Sequence, residues 1–168
     1  YIVDVGLTDK AEQTTMLTQG LSLTLTLNPP AINKLVSSVD MGFPSRGIST
    51  AIVRTYLLDS GFDGPLGFGW THTYLMHIVE TSDGLVKVFN PDGSGSFFKP
   101  KGDGTYDPPK GDFRTLTKNS DGAFQLKEKS GTLFNFNSAG RFTSIEDRNG
   151  NGLTLNYDAN SRLTTVID

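Results

Sequence analysis

Cysteine is absent from the 168 residues, which excludes disulfides and thiolate metal sites. Basic residues are scarce too: 15 Lys and Arg stand against 18 Asp and Glu, a net charge of −3. A nucleic-acid surface needs clustered positive charge, so no nucleic-acid partner is expected. There is no run of about twenty apolar residues, and hence no predicted transmembrane helix. Only two histidines, His72 and His77, occur, and an extended chain points them to opposite faces, so they cannot share a metal. No Gly-x-Ser-x-Gly elbow is found, and most carboxylates sit in turn dipeptides whose local hydrogen bonding already accounts for them. No cofactor and no enzymatic activity are expected. The chain starts at Tyr1 rather than Met and shows no signal peptide, which reads as a processed or truncated protein.

What is abundant is glycine, 19 residues, much of it in turn dipeptides. Asp83-Gly84, Asp92-Gly93, Asp103-Gly104, Asp121-Gly122 and Asn149-Gly150 are hairpin signals, because Gly, Asn and Asp tolerate the positive φ of tight turns. Between them lie short apolar runs: Tyr74 to Val79, Leu85 to Phe89, Phe124 to Leu126 and Leu153 to Tyr157. Turns this frequent leave no room for a long helix. The predicted class is all-β, a meander of hairpins. Nearer the start, Leu21 to Leu27 alternates leucine with Ser or Thr as a strand does and is ended by Asn28-Pro29-Pro30. Asp9 to Gln19 allows a short N-terminal helix.

The C-terminal part states one pattern twice. Phe134-Asn135-Phe136-Asn137-Ser138-Ala139-Gly140-Arg141-Phe142 returns as Leu155-Asn156-Tyr157-Asp158-Ala159-Asn160-Ser161-Arg162-Leu163, displaced by 21 residues. A fixed period marks a repeat architecture, with one hairpin per copy. Three segments are expected: 1–39 with the alternating strand, 40–111 as a β domain, and 112–168 as hairpin repeats. The boundary falls in a Pro- and Gly-rich loop, 100–111, with the parts packed continuously.

Tyr157-Asp158-Ala159-Asn160-Ser161-Arg162-Leu163-Thr164 resembles the tyrosine-aspartate (YD) repeat of Rhs proteins, teneurins and the C components of insecticidal toxin complexes. Val53-Arg54-Thr55-Tyr56, followed by Gly64-Pro65-Leu66-Gly67-Phe68-Gly69-Trp70-Thr71-His72-Thr73-Tyr74, is similar to the block that precedes the repeats in bacterial Rhs proteins. The resemblance covers Asp40 to Asp168 and departs from the repeat at Phe136-Asn137, in place of Tyr-Asp, and at Ser161, in place of Gly. It implies the start of a spiral β-sheet that closes as a shell around a toxic C-terminal cargo, or a surface scaffold for adhesion, in an exported bacterial protein. The expected role is structural: starting or plugging a β-shell, or self-assembly through strand edges at Leu163 to Ile167. The repeat signature residues are Phe136, Arg141, Tyr157, Asp158 and Arg162, with the arginines bonding a neighbouring turn or carboxylate.

Two binding alternatives stand beside that role. Trp70, Tyr74 and an exposed Tyr106 are candidates for an aromatic platform on which a glycan would stack, with Phe68, Trp70 and Tyr74 alternating along one extended chain; the preferred reading of that run is a core cluster anchoring it to the first hairpins. Asp147, Asn149, Asn151 and Asp158 have calcium-loop spacing. Leu153 to Tyr157 nevertheless alternates like a strand where such a loop would lead into a helix, and the preferred reading is turns between repeats.

Overall fold

Glycine at most hairpin ends and apolar residues alternating along the strands dictate the architecture. A computed structural model describes residues 35–168, apart from Arg46, Asp59 and Ser60. The helix expected at Asp9 to Gln19 and the strand expected at Leu21 to Leu27 lie outside the described residues. Among those described, no helix forms, and none is long and apolar enough to cross a membrane. The fold is all-β and antiparallel.

Three strands make a small sheet in the order β1 (Leu35–Met41), β2 (Ile52–Leu57), β5 (Trp70–His72), with a two-residue hairpin of β3 (Asp63–Gly64) and β4 (Gly67–Phe68) between β2 and β5 in sequence. β1 runs across the expected boundary at residue 39. The rest is one ten-stranded meander: β6 (His77–Glu80), β7 (Val86–Phe89), β8 (Gly95–Pro100), β9 (Thr105–Asp107), β10 (Thr115–Lys118), β11 (Phe124–Lys127), β12 (Leu133–Phe136), β13 (Phe142–Glu146), β14 (Gly152–Tyr157) and β15 (Leu163–Ile167). Every strand pairs with its sequence neighbours. The stretch 100–111, expected to be a loop, contains β9, which pairs with both β8 and β10 and carries the sheet through without a break.

Seven of the sheet's turns share one backbone scheme. The first residue's N–H donates to the carbonyl four residues on, and the fourth residue's N–H donates back to the first carbonyl, as in Asn137 to Arg141 and Asp158 to Arg162. The fourth residue sits at positive φ: Gly84, Gly93, Gly122, Gly131, Gly140, Gly150 and, alone among non-glycines, Ser161 at 68°. These are three-residue turns closed by a left-handed residue, not the two-residue turns in which both central residues take positive φ. Where Asp precedes the glycine, it therefore has a different task from the one expected. In Asp92 and Asp121 the carboxylate accepts the N–H two residues on.

Side chains sort cleanly by face, because strand residues alternate. Register aligns Tyr106, Leu116, Leu126, Phe134, Ile145 and Leu153 across six strands on the inner side. The adjacent register line carries Thr105, Thr117, Gln125, Asn135, Ser144 and Thr154 on the outer side. Gln125 donates to Asn135 and Asn135 donates to Ser144, each at 3.0 Å. Inside, Phe98, Leu116, Leu126, Val86 and Val88 are 0% exposed; burying each such side chain contributes about 1.5–3 kcal/mol.

The sheet curls until its first strand meets a later turn. His77 bridges to Arg141, and the Ile78 N–H donates to the Gly140 carbonyl at 2.7 Å. A Cβ on Gly140 would lie 2.0 Å from the Ile78 carbonyl oxygen, so only glycine fits. Tyr74 and Met76, on the approach to β6, belong to the buried core, and Ile48 and Ile52 pack against it. Gly47 comes so near the turn after β13 that a Cβ there would stand 2.7 Å from Asp147 Oδ2. Chain that precedes the meander thus fills its interior.

Candidate functional site

The residues expected to form an aromatic platform do not gather at the surface. Tyr106 is 6% exposed and Tyr74 is 4% exposed, both in the core. Trp70 is half-buried, with the Arg54 guanidinium 5.2 Å from its ring centroid and the Tyr56 ring at 5.2 Å on a tilted plane. Gly69, at φ +77°, breaks the extended run, so Phe68 is 61% exposed while Tyr74 turns inward. The core-cluster reading describes Tyr74, while Trp70 is half-buried and Phe68 exposed. Tyr106 escaped a sequence reading because β9 is only three residues long and lies among prolines and glycines. Neighbouring strands, rather than its own pattern, bury it.

The four residues with calcium-loop spacing are also parted. Asp147 Oδ1 accepts the N–H groups of Asn149 and Asn151, and Oδ2 accepts the Asn151 side-chain amide at 2.7 Å. Asp158 serves its own turn, accepting from the N–H groups of Asn160 and Arg162. The six residues of β14 separate the two carboxylates, a span of about 20 Å. No single ion reaches both. Hydrogen bonding, led by the Asn151 amide for Asp147 and by the Arg162 N–H for Asp158, holds both carboxyls below their usual range. Among the described residues, no cluster of three or more His, Asp or Glu that could hold a metal forms.

The histidines have separate surroundings. His72 Nδ1 accepts the Tyr74 N–H at 3.2 Å, and burial pushes its imidazole below the ordinary value. His77 stacks on Phe89 at 4.4 Å and faces Phe62 at 6.4 Å, with Nδ1 bonded to the Leu75 carbonyl at 3.0 Å.

The repeat signature does come together. Asn137 and Asp158 occupy the same place in successive turns, each accepting through Oδ1 the N–H groups two and four residues on. Asp147 caps the intervening turn in the same way, a third copy that the 21-residue displacement conceals. Asn for Asp is therefore a neutral departure in geometry, since either supplies the needed oxygen. The Tyr157 hydroxyl donates to the Phe142 carbonyl at 2.7 Å, and the Arg141 guanidinium lies 5.0 Å from the Tyr157 ring centroid, joining one copy to the next. Burial raises the Tyr157 pKa, with Arg141 opposing it. Arg162, in the place of Arg141, instead pairs with Asp158 at 2.7 Å, its side chain 71% exposed. Phe136 is 1% exposed.

Beside the last strand lies a groove of about 460 Å³, lined by Phe43, Pro44, Ile52, Leu163 and Val166. Tyr74 reaches it from within. Its hydroxyl is buried and has no hydrogen-bond partner among the described residues, although a buried hydroxyl ordinarily finds one. β15 is the terminal strand of its sheet, so its outer backbone groups face no strand of that sheet. An extended segment laid along β15 would cover Leu163 and Val166 and bring a polar group to Tyr74.

A comparison with curated proteins gives no match. A family model described as a domain of unknown function (DUF6531) matches residues 33–98, less than half of the chain, from just before β1 to β8 inside the ten-stranded sheet.

Proposed function

We propose that this chain is the N-terminal part of an Rhs-type YD-repeat protein, exported to the bacterial exterior, and that it acts as a non-enzymatic structural module. It starts a curled β-shell and plugs its first turn, and it extends through β15 to a following hairpin or a second copy. The observation that supports this most directly is the inequality of the sheet's two ends. At one end, Ile78 is bonded to Gly140 while Ile48, Tyr74 and Met76 fill the interior. At the other, among the described residues, β15 is unpaired on its outer side, next to an apolar groove and an unbonded tyrosine hydroxyl. The glycan-adhesion alternative lacks its support, because two of its three rings are in the core.

Sedimentation velocity and negative-stain microscopy over a concentration series test the edge. Concentration-dependent assembly that Ile167→Lys suppresses is expected, since Ile167 is 54% exposed on β15 and a charge on an edge strand opposes pairing. Monomers at every concentration would remove self-assembly and leave the following hairpin as the occupant.

A further inference from the structure

A second cavity, of about 190 Å³, opens on the outer face of the large sheet where β6 and β7 meet the small one. Leu57, Phe62, Leu75 and Phe89 give it apolar walls; His77 and Lys87 complete it. Bare backbone shapes the site at two points. A Cβ on Gly93 would stand 1.9 Å from Leu57 Cδ1, and one on Gly95 would stand 2.6 Å from Lys87 Cε. Glycine at 93 lets Leu57 descend, and glycine at 95 lets the lysine stem lie flat across the sheet.

Lys87 lies between two rings at the edge of this cavity. Its ammonium sits 4.3 Å from the Phe89 ring centroid and 5.2 Å from that of Phe97. Among the described residues it has no carboxylate partner, a condition it shares with Lys129 and Arg141, each of which lies over a single ring where Lys87 lies over two. Ring faces attract a cation but leave its N–H donors unsatisfied. The other polar groups at the rim are already engaged: Thr71 donates to the Pro91 carbonyl, Asn90 donates to Ser94, and Arg114 donates to Asn90.

The geometry points to a binding site for a compact apolar carboxylate, an arylacetate or branched-chain acid, with its anion on Lys87 Nζ and its body against Phe89, Phe62 and Leu57. Size restricts the class, because ordinary ligand pockets run to about 300–1,000 Å³. One ring or branched chain fits here; a nucleotide or disaccharide does not. The charge selects an acid over its neutral isostere, and a charge-assisted hydrogen bond amounts to about a tenfold or larger preference.

Phenylacetate, 2-phenylethanol and acetate, titrated into the protein and followed by the imidazole proton resonances, test the site. His77 lines the cavity and His72 does not, so one ring reports binding and the other reports an undisturbed fold. Phenylacetate is expected to shift His77 saturably and leave His72 in place, with the alcohol and acetate each about tenfold weaker. Lys87→Met is expected to weaken phenylacetate about tenfold while His72 stays unchanged. Gly93→Ala, which pushes Leu57 away from its position, provides a second variant that leaves the lysine in place and is expected to weaken the acid and the alcohol alike. A His77 signal that does not saturate, or Lys87→Met binding phenylacetate as tightly as the parent, overturns the assignment.

Discussion

The two hairpins β12–β13 and β14–β15 are built from one sequence pattern and live in different surroundings. Their turns carry the same pair of backbone hydrogen bonds and the same side-chain cap. Each also has a register shift at the equivalent place, between Asn135 and Phe136 in one and between Asn156 and Tyr157 in the other. Beyond the turn they part company. Phe136 and Phe142 are 1% and 3% exposed, whereas Tyr157, Leu163 and Val166 are only partly buried. Gly140 presses on the backbone of β6 and its turn bridges to His77 through Arg141, while among the described residues no isolated bridge ties the Ser161 turn to another strand. Local sequence thus sets the hairpin, and neighbours set its burial.

The contrast is tested most severely at glycine. Gly140→Ala should cost about 3–5 kcal/mol, combining left-handed strain with a collision against backbone that cannot move aside. Gly150 has the same sign of φ but nothing within 4 Å, so Gly150→Ala should cost only about 1–2 kcal/mol. Urea titration of both variants separates conformation from contact; equal costs would mean that the β6 latch adds nothing.

A smaller effect belongs to the link between the extended 108–114 connection and the rest of the sheet. Arg114 holds Asp112 with paired bonds, reaches Asn90 and Ser96, and lies over the Phe98 ring. Both ionic side chains are largely buried, and the Arg114 hydrogen bond holds the Asp112 carboxyl below its usual range. Asp112→Ala is expected to cost about 2–3 kcal/mol at neutral pH. The lowered pKa fixes the sign: this stability is fully present above the unfolded carboxyl value, about pH 4, and is lost as pH falls through the folded one. The variant should therefore show a shallower acid limb in a series of urea midpoints against pH.

The mildest tests compare the repeat copies directly. Arg141→Ala should remove about 0.5–1 kcal/mol, because its guanidinium covers Tyr157. Arg162→Ala should leave thermal stability unmoved, its ion pair being exposed to solvent. Ser161→Gly should stabilise by about 0.5–1 kcal/mol, as glycine adopts the positive φ without strain. A loss of melting temperature in that variant would show that the serine contributes something beyond its backbone.

Legibility in the sequence followed the range of each interaction. Turn positions were readable from Asp-Gly and Asn-Gly, since positive φ is a local demand, and the all-β class follows from their frequency. The kind of turn was not, because a two-residue and a three-residue hairpin use the same dipeptide. The Glu128 to Thr132 turn went unread although Ser130-Gly131 is a turn signal in its own right. Calcium-loop spacing at Asp147 arose because turn caps and cation loops both place oxygens at alternate residues. What needed the fold was contact across distance: Gly47 against Asp147, Ile78 against Gly140, and Lys87 among rings on two strands.

The bond between Ile78 and Gly140 also has a mechanical meaning. A meander pulled from its C-terminal end opens like a zipper, one strand at a time, and each detached strand relieves only its own few bonds. Here β15, β14 and β13 would peel in turn, until the load reached the hairpin whose tip is tied to the opposite edge of the sheet. From there the pull acts on two rows of bonds together. The sheet is therefore weak in tension at β15 and strong where β6 is tied to the Gly140 turn.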